Sequence, residues 1–426
     1  MKRLIVVVTK VVTIGRTESR GLVLILAATA LAGVSGYAIQ LLAAAFIPSA
    51  GGYVLFSAFW SAMYLLGSAV GGVQQEVARA THAWAEGDES RRSLKPFLLG
   101  AVLVVAVVGG VLAILTGQIA FTTDHVMLEL ALVTGLVGYV LTSIATGLFY
   151  GVHRLAAVAA LVAIDAVVRG VAVVTGLIVG ASLTVLAFAI AVPFGLAVGA
   201  VWVAVRSRLR GRYTVDVSTG RLARNALHTV VAAAAIGLLV TGMPLVFRVA
   251  LADASTVTVA SLTLLVTLSR APFIIPVMAL QSYLIVSFRS SDARGLLRPR
   301  WWVAIAAGAV AAVAIAWFVG PWAVSLVSSG QYDVDGLTSS LVVLSAVLVG
   351  LMCVTGPALL ARSDHFAYAL GWVLAAASTL ACFLLPLEPV ALVVVALITG
   401  PVVGLVVHGV AIVRGSGSRA DTGSLR

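Results

Sequence analysis

The chain has 426 residues, of which 61% are hydrophobic and 10% charged, with a formal net charge of +11 and a mean hydropathy of +1.13. So little polar surface excludes a water-soluble domain and makes lipid the solvent for most side chains. There each backbone amide must be paired within its own segment, so apolar runs of about 20 residues are helical crossings.

Twelve such runs follow in chain order. A basic arm, residues 1–20, precedes them; Lys10 interrupts its short apolar stretch, which suits an interfacial segment better than a removable signal. The first six crossings are expected at 21–46, 52–78, 96–116, 127–149, 155–179 and 183–205, and form a bundle over 21–205. A basic linker, 206–225, separates them from a second bundle over 226–413, with crossings at 226–247, 256–287, 301–327, 338–360, 365–385 and 390–413. The Gly/Ser-rich tail, 414–426, reads as disordered.

All the Lys and Arg residues except Arg169, Arg248 and Arg270 fall in the arm, the tail or alternate connections, and therefore on one side of the membrane. By the positive-inside rule both termini are cytoplasmic, and the net charge reports topology and attraction to membrane lipids. No basic folded domain accompanies the arginines, so no nucleic-acid partner is expected. Cys353 and Cys382 sit within apolar helices as small hydrophobes, which offers no metal cluster and no disulfide framework. With no loop long enough for a catalytic domain, no enzyme activity, cofactor or metal site is expected.

The two halves echo each other. TGLFYGVHRLAAVAA from Thr146 matches TGPALLARSDHFAYAL from Thr355, about 209 residues on, and Gln74 and Gln75 in the second crossing find Gln281 in the eighth. Duplicated six-helix halves are a common construction of secondary transporters.

Intramembrane ionisable side chains cost several kcal/mol unless paired or hydrated, so each calls for a function or a partner. Asp165 and Arg169 share a helix face at i and i+4; they either neutralise each other or line a cavity, with Arg169 offered to an anionic substrate. Arg270 has no acid at helical spacing, and a guanidinium can take two phosphate oxygens at once. Pro272 and Pro276 remove amide donors and bend the same helix. Snorkelling, or pairing with an acid such as Asp165, is the alternative for Arg270. Glu76 is a candidate proton carrier or a surface partner of Arg79. Gln40, Gln75 and Gln281 are candidates for sugar hydroxyls or for interhelical hydrogen bonds. Arg248 and Asp253, after the seventh crossing, read as a local pair, and Trp60, Trp301, Trp302, Trp317 and Trp322 as interface anchors. Gly71 and Gly72, with other small residues, allow close helix approach.

Four stretches resemble the multidrug/oligosaccharidyl-lipid/polysaccharide flippase superfamily, in its polysaccharide-exporter branch. They are GGYVLFSAFWSAMYLLGSAVGGVQQEVARA from Gly51, AEGDESRRSLK from Ala85, GLFYGVHR from Gly147 and LSRAPFIIPVMALQ from Leu268. The resemblance implies an all-α polytopic membrane protein with two six-helix bundles in a V around a central cavity, working by alternating access in the plasma membrane. It further implies a lipid-linked glycan or polyprenyl-phosphate-linked precursor as substrate, and cell-envelope glycosyltransferases as partners. The first crossing carries no arginine beyond Arg20, and the aspartate of sodium-coupled branches has no clear place, so ion coupling stays open. The alternatives are an ion-coupled small-molecule or drug exporter, a major-facilitator carrier, whose loop signature GDESRR at Gly87 matches poorly, and a non-transporting scaffold for glycan-synthesis enzymes.

Overall fold

Apolar runs with few interior breakers fold into helices along nearly the whole chain. The computed structural model describes residues 2–84, 92–121, 125–209, 212–279, 288 and 299–423. Its helices are α1 (Lys2–Phe46), α2 (Ala50–Ala80), α3 (Lys95–Ala120), α4 (His125–Gly151), α5 (Leu155–Ile178), α6 (Leu183–Leu209), α7 (Thr219–Val240), α8 (Met243–Ala250), α9 (Thr256–Ala279), α10 (Pro299–Val327), α11 (Gly336–Ala361), α12 (His365–Cys382) and α13 (Pro389–Gly423). Twelve of them, all but α8, are long and apolar enough to cross a membrane, in agreement with the twelve crossings expected.

The structure departs from expectation at a few places. The seventh crossing ends at Val240 instead of running to 247. Thr241 and Gly242 stop it: the Gly242 amide bonds back to the Gly237 and Leu238 carbonyls, and Pro244 opens the separate short helix α8. Helix α13 continues to Gly423, over residues whose Gly/Ser composition read as disordered from 414 on. Two three-residue strands, β1 (Thr81–Ala83) and β2 (Tyr213–Val215), pair antiparallel, with Thr81 opposite Val215 and Ala83 opposite Tyr213. The His82 imidazole and the Asp216 carboxylate, 2.7 Å apart, flank this ladder.

Contacts group the chain into two units: Met1–Ile39, Val70–Gln118 and Thr123–Val230 form one, and Gln40–Ala69, Ile119–Thr122 and Val231–Arg426 the other. In the first, α4, α5 and α6 pack on one another around Val140, Ile144, Leu148, Val158 and Leu161. In the second, α11, α12 and α13 repeat that three-helix arrangement, and α9 and α10 pack on α11. Its core includes Ile274, Val349, Met352, Cys353, Trp372 and Ala375.

The internal repeat extends to hydrogen-bond geometry. At the end of α4, His153 takes a positive φ of 56°, its amide bonds to the Tyr150 carbonyl, and the Arg154 amide reaches the Phe149 carbonyl. At the end of α11, Ser363 takes a φ of 63°, its amide bonds to Leu360, and the Asp364 amide reaches Leu359. Both are left-handed helix stops that bond the last free carbonyls and turn the chain into the next helix. Prolines recur too, Pro193 inside α6 and Pro401 inside α13.

Candidate functional site

The first unit buries one of the two intramembrane arginines. Asp165 and Arg169, a turn apart on α5, meet as an ion pair. A second guanidinium nitrogen of Arg169 donates to the Ile190 carbonyl of α6 at 2.9 Å, and the guanidinium lies 3.8 Å from the centre of the Phe194 ring. With Arg169 only 3% exposed, carboxylate, carbonyl and aromatic face together replace the hydration it loses. The arrangement holds α5 against α6, which is the mutual-neutralisation reading of the pair.

Arg270, in the second unit, is different. It is 6% exposed, and Nε, Nη1 and Nη2 find no hydrogen-bond partner among the described residues. It stands fourteen residues into α9, about 21 Å from the helix start at 1.5 Å per residue, and within the candidate membrane span Thr256–Ile274. Neither arginine is turned out to the lipid. Gln40, 7% exposed on α1, also belongs to this unit, and its Oε1 is unpartnered among the described residues. On α9, the hydroxyls of Ser261 and Thr263 are buried and likewise without a hydrogen-bond partner among the described residues. Folded chains pair almost every buried polar atom, and among the described residues the Arg270 guanidinium is the charged exception.

One face of the same helix is largely apolar. Leu265, Leu268, Pro272 and Phe273 of α9, with Ala312, Ile315 and Val319 of α10, line a groove of about 370 Å³.

The remaining sequence candidates fall as follows. Glu76 is bonded to Arg79, with Oε2 2.7 Å from Nη2, as in the surface-pair reading. Gln75 is exposed, while Gln281 lies outside the described residues. Arg248 does not form the expected pair with Asp253: its Nε donates to the Ala120 carbonyl at 3.1 Å, because it sits on α8 and not in a loop. Trp60 is no interface anchor; it is buried between Phe56 and Tyr64, with ring centroids 6.3 and 4.7 Å away. Trp317 and Trp322 are exposed, as anchors would be.

Two ionisable residues inside the spans escaped sequence reading. Glu129 of α4 has a buried Oε1 close to Gly117 and without a hydrogen-bond partner among the described residues. His408 of α13 is fully buried. The usable signal was the one applied to the arginines, a titratable side chain in an otherwise apolar run. Among the described residues no group of three or more His, Cys, Asp or Glu could hold a metal ion.

These features define an all-α polytopic membrane protein with the fold of the MATE transporters. A multidrug resistance MATE family transporter of the MOP superfamily solved in an inward-facing conformation superposes with a TM-score of 0.63 at 13% identity, over 89% of this chain and 94% of that one. The outward-facing conformation of such a transporter gives 0.56 at 12% identity, over 93% and 96%. A Vibrio cholerae MATE transporter gives 0.57 at 14%, over 95% and 98%. No family model matches the sequence. Uncharacterized protein Mb3654 of Mycobacterium bovis is 30% identical over 412 residues, 91% of this chain and 90% of that protein. Uncharacterized protein Rv1510 of Mycobacterium tuberculosis is 29% identical over 413 residues, with the same coverage of each chain. The chain belongs to the family of these mycobacterial proteins.

Proposed function

We propose that the protein is a membrane transporter, not an enzyme, that moves a lipid-linked oligosaccharide or polyprenyl-phosphate-linked glycan precursor across the plasma membrane by alternating access. The observation that carries this reading is Arg270: a guanidinium buried at membrane depth with all three nitrogens open among the described residues. Leaving such a charge unpaired is costly, and a phosphate or pyrophosphate offsets that cost by accepting two or more charge-assisted hydrogen bonds. Gln40 offers a polar atom of the kind that bonds sugar hydroxyls. The apolar groove on the neighbouring face of α9 suits a prenyl tail that stays in the hydrocarbon layer while its head group crosses.

The drug-exporter reading draws on the same fold, because the solved proteins are multidrug MATE transporters. A buried unpaired cation favours an anion and repels the cationic compounds an ion-driven exporter would take, so the charge of the site argues for the glycan lipid. The two readings separate on depletion of the protein in its host followed by analysis of extracted lipids. Accumulation of a polyprenyl-linked glycan intermediate supports the glycan reading. An unchanged lipid profile with raised sensitivity to cationic drugs overturns it.

A further inference from the structure

The second unit encloses a histidine that the transport reading leaves unused. His408 of α13 is fully buried where α11 and α12 pack against α13. Its Nδ1 lies 2.8 Å from Thr355 Oγ1 on α11, and its Nε2 lies 3.3 Å from the Tyr368 carbonyl on α12. The ring stacks on Tyr368 at 6.5 Å and meets the edge of Trp372 at 6.4 Å. Gly371 has no side chain to occupy the imidazole's place; a Cβ there would collide with it.

The partners fix the chemistry. A carbonyl only accepts, so Nε2 carries a hydrogen and donates to Tyr368 in either charge state. In the neutral ring Nδ1 accepts from the Thr355 hydroxyl. When Nδ1 takes a proton from water, the Thr355 hydroxyl rotates to accept from it and turns its own hydrogen to the Met352 carbonyl, 3.4 Å away. Rotation of one hydroxyl therefore satisfies both states, and the two aromatic rings flank the imidazolium when it forms.

We propose that His408 is a proton-binding site, and that its protonation couples a proton gradient to the transport proposed above, on which the coupling half of the inference rests. The histidine is not needed to build the fold. The three-helix arrangement recurs in the first unit, where α6 carries no ionisable residue from Leu183 to Val205. The other titratable or charged groups on the packed elements are Cys353 of α11, His365, Tyr368 and Cys382 of α12, Arg414, Arg419 and Asp421 of α13, and Arg362 and Asp364 of the turn between α11 and α12. Arg362 is engaged with the Ile412 carbonyl at 2.8 Å, and Asp364 with the Ala367 amide at 3.0 Å. Among the described residues no carboxylate is bonded to the imidazole, so a bound proton leaves it as a net cation. Six residues, about 9 Å of helix, separate His408 from Arg414 at the end of the last apolar span, a short route for a proton from that face.

Two measurements decide the inference. The first is ¹⁵N NMR of histidine-labelled protein in lipid nanodiscs, with the His408 signal assigned by its loss in His408→Gln. We expect both ring nitrogens of His408 to become protonated on acidification within about pH 5 to 8. Thr355→Val, which retains the histidine but removes the switching hydroxyl, should displace that transition to lower pH. A His408 that stays neutral down to pH 5, in protein whose other histidines titrate, overturns the proton site. The second uses proteoliposomes and a fluorescent short-chain polyprenyl pyrophosphate, with and without a pH gradient. The gradient should speed probe translocation at least threefold in the wild type and not at all in His408→Gln. Full gradient dependence in His408→Gln overturns the coupling. Absence of any translocation by the wild type counts against the transport reading and with it the coupling, while the NMR titration alone decides the proton site.

Discussion

The Asp165–Arg169 pair allows a quantitative test of what holds α5 to α6. Replacing Asp165 by Ala leaves a guanidinium that is 3% exposed beside the Ile190 carbonyl and the Phe194 ring, without its carboxylate. Removing one member of a buried pair costs about 3–5 kcal/mol. The Asp165 side chain is 17% accessible, so water entering the vacated space moderates the loss, and about 3 kcal/mol is the expected value. Arg169→Met leaves the carboxylate half-hydrated and the Ile190 carbonyl without this donor, for about 2–3 kcal/mol. The double variant Asp165→Ala with Arg169→Met carries no buried charge and should lie within about 1 kcal/mol of the wild type, because apolar replacement of a buried pair is often neutral. The cycle therefore predicts a coupling of about 4 kcal/mol or more between the two sites. Thermal unfolding in detergent, followed by intrinsic fluorescence, reads the effect as a fall of about 2–4 °C for each single variant and near recovery in the double. Additive losses, or an Asp165→Ala protein as stable as the wild type, would refute the idea that this pair is a structural lock.

Three further outcomes follow from the same geometry. A Cβ on Gly72 would sit 2.8 Å from the Thr229 backbone of α7, whereas one on Gly71 meets nothing, so Gly72→Ala should lose about 1–3 kcal/mol and Gly71→Ala should be neutral or gain up to about 1, measured by thermal unfolding. Asp335 caps α11 by accepting from the Thr338 amide at 2.8 Å and the Thr338 hydroxyl at 2.6 Å, and these bonds hold its carboxyl below the usual carboxylate range. A folded-state value below the unfolded one means the contribution is complete above the unfolded pKa of about 3.9 and fades as pH falls through the folded value. Asp335→Ala should cost about 0.5–2 kcal/mol between pH 5 and 8, with the gap to wild type closing in stronger acid; a gap that widens on acidification would contradict the cap. Finally, Arg248→Met should weaken the hold of α8 on the Ala120 carbonyl, raising amide exchange in Met243–Ala250 while the unfolding temperature changes by only a few degrees.

The crossings were legible in the sequence because a bilayer imposes a length and polarity that no other solvent demands, and eleven of the twelve keep their expected places within a few residues, apart from the stretch of the eighth beyond Ala279, outside the described residues. The seventh shifted because Thr241, Gly242 and Pro244 break a helix without breaking hydropathy. The strand pair escaped notice because segments of only three residues, Thr81–Ala83 and Tyr213–Val215, carry no periodicity to read. The repeat was visible as matched turns at Thr146 and Thr355, and its strongest mark, the paired left-handed stops at His153 and Ser363, became apparent only from backbone geometry. Sequence singled out Arg169 and Arg270 equally. Only coordinates distinguish them, since partners such as the Ile190 carbonyl and the Phe194 ring come from another helix and leave no trace at helical spacing. His408 was missed for the same reason: one histidine in an apolar run has meaning only once Thr355 and the Tyr368 carbonyl are seen on either side.

The central claim, an anion-holding guanidinium in a transporter, meets its most direct test in translocation by purified protein. Proteoliposomes carrying a head-labelled polyprenyl pyrophosphate on both leaflets, quenched from outside, report how fast the inner pool becomes accessible. The wild type should flip the probe, and Arg270→Met should lower the rate at least tenfold while unfolding at a temperature no lower than the wild type, because it removes an unpaired buried charge. An Arg270→Met protein that flips the probe at the wild-type rate would contradict the account.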